Sequence, residues 1–462
     1  MKRLMQLELL RLMRTARARA VAALLLLATL FAGGLGTTLT QRHRQAAEDD
    51  LAAAQARLKA KFEQGASPLE VARWTDCVLP RAMPVLAALS AGNLDALSDV
   101  ATVRLGQAPQ GVPARAERSP ASALLGTFDI AWLLSLLLPL AILGLAHDRF
   151  AFDRSRGNLA MLMAFAPSPT GLVIARTSAV AAVIALGVLP GLGLSMLGAA
   201  LYLGEALHLA DALAALLLCA SAIFAWSAAF VALSAWARQP AQALSMGLSL
   251  WAAWAVVIPL AASALGQLTY PDPDPRAELE ALQASQELAD KDAERWVQAE
   301  VKKSPNLDPE DAIDGVESNL RFDLLLSRAQ LRRNAGARYA SKQALQRRAE
   351  LARLAAYLSP STIVSHGLAS LGEADPEARS RFEARAAQYQ SQLDLHAAQR
   401  LQAHDTKVGT LKAWPPADAK AKPDRWPSFV GIVLLWAISL GALLAARQRL
   451  TRGAIDPGSE TS

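Results

Sequence analysis

Six stretches of this chain carry almost no ionisable side chain, and each is about long enough to cross a lipid bilayer. No other feature limits the fold as much. Roughly 20 consecutive apolar residues in a helix cross the hydrocarbon core, and inside lipid every backbone polar group must be satisfied within the segment or its neighbours. The spans are read at 20–39, 127–147, 172–203, 212–237, 240–267 and 427–446. The third contains Pro190 among nearby glycines and is expected to break there, whereas Pro240 suits the first turn of the fifth.

Two polar segments, 40–126 and 268–426, are too long and too charged to be ordinary loops. The apolar share of 53% therefore averages a membrane part and soluble parts. Leu and Ala recur at helical spacing from Glu48 to Phe62, so 40–126 is expected to be a helical insert. Pro271, Pro273 and Pro275 open the second segment as a stiff linker. The Ala-, Leu-, Glu- and Arg-rich stretches Arg276 to Lys303 and Asp308 to Tyr357 favour helix, and the scarcity of β-branched runs argues against a sheet. Pro415, Pro416 and Pro423 lead into the last span. The expected fold class is an all-α membrane protein: six transmembrane helices with a large helical extracytoplasmic domain.

Residues 1–19 carry Lys2, Arg3, Arg11, Arg14, Arg17 and Arg19, with Leu4, Leu7, Leu10 and Met13 at helical spacing. They form either an amphipathic helix on the cytoplasmic membrane surface or a plain basic flank. The apolar run that follows is longer than a signal-peptide core and lacks a clean cleavage site, which favours a retained first helix. The turn from Tyr202 to Asp211 has Glu205 and Asp211 but no Lys or Arg, while Arg149, Arg154, Arg156, Arg176, Arg238, Arg447, Arg449 and Arg452 fall on the opposite side. The excess of basic residues in cytoplasmic loops then puts both termini, the loop 148–171 and the tail 447–462 in the cytoplasm of a bacterial inner membrane. The two large polar segments fall on the periplasmic side.

Several functions are excluded or disfavoured. The chain has no G-x-x-x-x-G-K-[ST], H-E-x-x-H or G-x-S-x-G motif, so no ATP-binding P-loop, zinc-protease helix or nucleophile elbow is expected. No catalytic, cofactor-binding or metal-binding residue is assigned. His147 beside Asp148 is read as a boundary polar pair in preference to a titrating one. Cys77 and Cys219 lie in dissimilar surroundings and are expected to be small apolar fillers, not a disulfide. The net charge of +6 sits beside apolar runs, where it orients a membrane protein, and nucleic-acid binding is not expected. The spans hold too few ionisable groups for a proton- or ion-coupled carrier.

The informative stretch is Asp148 to Arg176, DRFAFDRSRGNLAMLMAFAPSPTGLVIAR. Charges come first, then Gly157, an apolar helix with Leu159, Leu162 and Met163, the prolines Pro167 and Pro169, and at once a new span. Such a surface helix between two spans can seat in a groove of a soluble partner. The stretch resembles the loop after the second span of ABC-2 type transporter permeases. There an acidic-basic cluster and a Gly-Thr-Leu precede a Leu-rich helix, a proline and a basic residue. Asp153, Arg154, Gly157, Leu159, Leu162, Pro167 and Arg176 match that pattern; Asn158 departs from its threonine and Ser155 from a common glutamate. The architecture is similar to the DUF3526-like subgroup, related to gliding-motility and copper-site-assembly permeases, which carries a large helical domain between the fifth and sixth spans. Leu358-Ser359-Pro360 looks like that subgroup's Leu-Ser-Pro element, although alone it also suits a helix terminator.

The resemblance implies a non-catalytic permease subunit served by a separate cytoplasmic ABC ATPase and paired with a second permease subunit, identical or related. It allows a periplasmic or outer-membrane partner and needs no cofactor. The ATPase-coupling helix would use Asp153, Arg154, Arg156, Gly157, Leu159, Leu162 and Pro167. The alternatives are a membrane-anchored periplasmic sensor or scaffold, for which the cytoplasmic segments are short, and a polytopic enzyme, for which no convergent polar residues are found.

Overall fold

The computed structural model describes residues 2–65, 76–104, 110–112, 127–165, 168–271, 275–303, 343–344, 346–351, 353–402 and 424–455. In chain order these form α1 (Lys2–Met13), α2 (Ala16–Glu63), β1 (Cys77–Pro80), a 3₁₀ helix (Val85–Ala96), β2 (Val100–Val103) and β3 (Gln110–Val112). There follow α3 (130–146), α4 (Ala151–Ser155), α5 (Asn158–Phe165), α6 (Pro169–Leu203), α7 (Leu209–Trp236) and α8 (Pro240–Thr269). Last come α9 (Pro275–Lys303), α10 (Pro360–Leu371), α11 (Pro376–Gln402) and α12 (Trp426–Ile455). Six helices, α2, α3, α6, α7, α8 and α12, are long and apolar enough to cross a membrane, and the chain is an all-α membrane protein.

The first span is part of a far longer helix. The Thr15 side chain accepts from the Ala18 amide to start α2, and no proline or glycine interrupts the sequence between Gly36 and Glu63. The helix therefore passes from its apolar run straight into its Ala-rich polar run, 48 residues in all, which is roughly 70 Å of helix against roughly 30 Å of hydrocarbon. α6 likewise runs unbroken through Pro190, contrary to the break expected there. A proline in a membrane helix is tolerated where neighbouring helices compensate for the lost amide. Small residues let α2 and α6 approach closely: a Cβ on Gly187 would lie 2.5 Å from the Ala22 carbonyl oxygen, and one on Gly191 would lie 3.0 Å from the Thr29 side chain. Trp226 is buried, stacked on Phe230 and edge-on to Trp254, so helix packing accounts for these aromatics.

Two corrections follow for the segments outside the spans. The insert is not helical throughout. Beyond Glu63 it forms a three-stranded antiparallel sheet in the order β1-β2-β3, with Cys77 opposite Val103 and Val100 opposite Val112. The strands are three or four residues long, too short to show a period in sequence. They are held by burial: Cys77, Leu79, Ala101 and Val103 alternate onto one face and pack on Phe382, Ala386, Tyr389 and Leu393, a single stripe of α11. The two polar segments thus share one core. Both cysteines are buried and no disulfide joins them, Cys77 lying in this sheet and Cys219 in the membrane core.

The second correction concerns α10, which does not stay outside the bundle. Pro360 stands at its first turn, so Leu358-Ser359-Pro360 lies between helical residues that run to Ala356 and the start of this helix. Ser359 Oγ donates to the Trp254 carbonyl at 2.6 Å and Ser361 Oγ to the Ser135 carbonyl at 2.6 Å. Trp254 lies halfway along α8, roughly 20 Å from its far end. The carbonyls belong to two π turns, Leu133–Leu137 in α3 and Ala253–Val257 in α8. Trp251 Nε1 donates to a third carbonyl there, that of Leu136, at 3.1 Å. Widened turns free carbonyls for side-chain donors, and at membrane depth each needs one. Ile363, Val364, Leu368 and Leu371 join the membrane core. A Cβ on Gly367 would strike Leu218, and one on Gly431 would sit 2.7 Å from Ile363. At its other end α10 reaches the 3₁₀ helix, where a Cβ on Gly372 would lie 2.9 Å from Ala87. The helix re-enters the bundle from the face that carries the sheet, here called the module face.

On that face a buried polar network joins the pieces. His43 of α2 meets Asp99 through Nδ1 at 2.8 Å, and Arg81 reaches Asp99 at 3.4 Å, the Ser98 carbonyl at 3.1 Å and the Glu373 carbonyl at 3.2 Å. Burial lowers the Arg81 pKa, and the Asp99 carboxylate works against that shift. The acidic turn of the sequence lies here too: Glu205 pairs with Arg44 at 2.7 Å, and Asp211 with Arg425. The residues from 304 to 342 and from 403 to 423, with Pro415, Pro416 and Pro423, lie outside the described residues.

Candidate functional site

The opposite, basic face holds α1, α4 and α5. α1 buries Glu8 and Leu12, while Leu7 and Leu10 of its apolar stripe are exposed. Its lone acid, Glu8, is buried against Arg176 of α6, Oε1 to Nε at 3.3 Å. Arg176 is 1% exposed and gathers this end of the fold. Its Nη2 meets Asp153 Oδ2 at 2.5 Å, its Nη1 donates to the Arg149 carbonyl, and its guanidinium lies over the Phe150 ring at 4.4 Å. Three negative or partly negative groups from α1, α4 and the α3–α4 turn thus converge on one planar cation, whose five donors suit several acceptors at once.

A second anchor ties α4 to α7. Ser234 Oγ accepts from the Phe150 amide at 2.9 Å and the Ala151 amide at 3.2 Å and donates to the His147 carbonyl at 2.8 Å. Arg154 Nη1 donates to the Ala237 carbonyl, at the end of α7, at 2.5 Å. Arg17 pairs with Asp148 at 2.7 Å across a more exposed part of the same seam. Asp148 is therefore engaged by Arg17, and the His147 ring Nδ1 lies 3.0 Å from the Leu143 carbonyl, so the two do not form a pair of their own. Beside Arg176 a cleft of about 160 Å³ is lined by residues that include Glu8, Arg11, Arg17, Asp148 and Phe152.

The sequence-derived site residues divide by direction. Asp153 is buried and Arg154 half-buried, both rooted in the bundle. Arg156 is exposed and stacks over the exposed Phe152 ring at 4.2 Å. Gly157 sits at φ +73, the left-handed region that glycine enters without steric cost, and it turns the chain from α4 into α5. Leu159 packs against the membrane core, Leu162 is half-buried, and Met161 stays 57% exposed. Pro167 lies outside the described residues, but Ser168 beside it caps α6 by accepting from the Gly171 amide at 3.0 Å. Glu8, Phe152 and Ser234 belong to the site as well, and sequence reasoning misses them. Only Glu8 leaves a sequence signal, as the one acid in the first 47 residues.

Among the described residues this face presents an exposed loop anchored to α6 and α7. Comparison with curated proteins finds no match. The family model described as ABC-2 family transporter protein matches residues 4–392, from α1 through the first five spans and α10 to most of α11. With six membrane-spanning helices and a match over most of its length, the chain belongs to the ABC-2 family of transporter proteins.

Proposed function

We propose that this multi-pass chain is the permease subunit of an ABC-2 type transporter and that a separate ABC ATPase docks on α4 and α5. The observation that carries this reading is the split in the loop. Asp153 and Arg154 fasten it to α6 and α7, while Phe152, Arg156 and Met161 face outward. A partner that moves the outward side moves two membrane helices. The basic face is then cytoplasmic, as its arginines favour, with both termini on it, and the module face is periplasmic in a bacterial inner membrane.

The long helix α2 and the re-entrant α10 would carry that movement to the module, for export of a substrate or for mechanical work beyond the membrane. The module between the fifth and sixth spans supports placement in the DUF3526-like subgroup. A second permease subunit, identical or related, is part of the proposal. None of the apolar window of α8 is buried within one chain, against 72% for α7, so α8 offers a free face for it. No substrate is assigned, and a periplasmic or outer-membrane partner would act on the module.

Exchanging the outward residues tests the docking face. In proteoliposomes holding the complex, Phe152→Asp and Met161→Asp are expected to lower ATP hydrolysis by about tenfold, the effect of roughly 1.4 kcal/mol of lost contact, with membrane insertion unchanged. Hydrolysis at the unaltered level in both variants would remove the docking face from this loop.

A further inference from the structure

We propose that His366, Asp375 and Glu377 form a binding site for one divalent transition-metal ion, zinc by the chemistry of its ligands, which clamps α10 to α11. One ligand atom from each residue lies within 4.8 Å of the others. Each also offers a buried atom without a hydrogen-bond partner: His366 Nε2, Asp375 Oδ2 and Glu377 Oε2. Asp375 is 1% exposed, so its free oxygen cannot be satisfied by bulk water.

The neighbours explain why these atoms are spare. Each carboxylate spends one oxygen on other groups. Asp375 Oδ1 accepts from the Ala378 amide at 2.9 Å as the cap of α11 and lies 3.5 Å from Arg381 Nη2. Glu377 Oε1 lies 3.9 Å from Arg353 Nη1. Glu373 takes the other contact of Arg381 at 3.4 Å. The second oxygens of Asp375 and Glu377 are left over, beside an imidazole whose ring is braced edge-on by Tyr357 at 5.9 Å. Asp375 Oδ2 and Glu377 Oε2 stay without a hydrogen-bond partner although Arg353 and Arg381 lie beside these carboxylates, and a single cation among the three ligand atoms would reach both.

One imidazole nitrogen with two carboxylate oxygens suits zinc, with a fourth position open to water, better than calcium or magnesium, which take oxygen alone. The ligands come from the last two turns of α10 and the first residues around α11, joined by the turn that holds Glu373 at φ +52. A bound ion would fix the depth of the re-entrant helix relative to the helix that supports the sheet. Burial pushes the Asp375 and Glu373 carboxyls above their usual range, against the pull of Arg381.

The test uses the full chain, purified in detergent and freed of metal with a chelator. Zinc titrated against a fluorescent chelator should bind at one ion per chain, and cobalt in its place should give visible d–d absorption. His366→Gln, Asp375→Asn and Glu377→Gln should each weaken zinc at least about tenfold, while Glu383→Gln on the exposed side of α11 should leave it unchanged. Asparagine at 375 keeps the helix cap, so that variant separates ligation from folding. The absence of a cobalt band in the wild-type protein would overturn the site without any variant, as would zinc binding that all three substitutions leave unaltered.

Discussion

Arg176→Ala is expected to destabilise the chain by about 3–5 kcal/mol, the cost of leaving buried carboxylates without their cation. Asp153 and Glu8 are both buried, and each points a carboxylate oxygen at this one guanidinium, at 2.5 and 3.3 Å. The loss also releases the Arg149 carbonyl and the Phe150 ring. Lysine is expected to restore only part of the stability, because one ammonium cannot repeat the forked contact with two acids and a carbonyl. Thermal unfolding in detergent, followed with a thiol-reactive dye that reports exposure of Cys77 and Cys219, measures the change. A double cycle with Asp153→Ala should show strong coupling, the double variant losing less than the sum of the two. An unchanged melting point for Arg176→Ala would mean that the charges of this seam are solvated and do not hold α4 to α6.

Gly36→Val should cost about 3 kcal/mol, the upper part of the range for overpacking. A Cβ at this position would run into the carbonyl of Ala88, which is backbone of the 3₁₀ helix and cannot swing aside. The substitution would lever the module away from α2 at the place where the first membrane helix leaves the bilayer. Gly34, two residues earlier, is exposed, and a Cβ added to it would meet nothing within 4 Å, so Gly34→Ala should be neutral or slightly stabilising. The same dye assay applied to both variants checks the contrast. Equal melting points would show that the 3₁₀ helix does not rest on α2.

The contrast between these glycines illustrates what a sequence can and cannot disclose. Runs of about 20 apolar residues announce the spans, because lipid leaves few other uses for them. Their ends are less legible. α2 continues to Glu63 and α12 to Ile455, since neither stretch has a residue that stops a helix where the apolar run stops. The strands around Cys77 and Val103 are hidden because four residues show no reliable period and their partner stripe on α11 lies some 280 residues away. α10, at 12 residues, is too short to register as a span, and its membrane position depends on carbonyls freed by π turns that no local pattern signals.

The candidate site is legible in part. Charges, a glycine and a Leu-rich helix between two spans point to the loop, and the structure has α5 at Asn158–Phe165. Which side chains root the loop and which face outward cannot be read from the sequence. α4 has only five residues, and the partners of Asp153 and Arg154 lie 23 and 83 positions away.

The central claim, that a separate ATPase drives this permease through the basic-face loop, is tested most directly by mild-detergent purification of the tagged chain from its native membrane, with mass spectrometry and an ATP hydrolysis assay. A P-loop ATPase recovered in stoichiometric amount, with hydrolysis lost when Gly157 is changed to proline at its left-handed turn, is the expected result. A pure, folded chain that carries no ATPase, or a complex whose hydrolysis survives that substitution, would contradict the account, and the first of these would direct the search for a function to a ligand of the module.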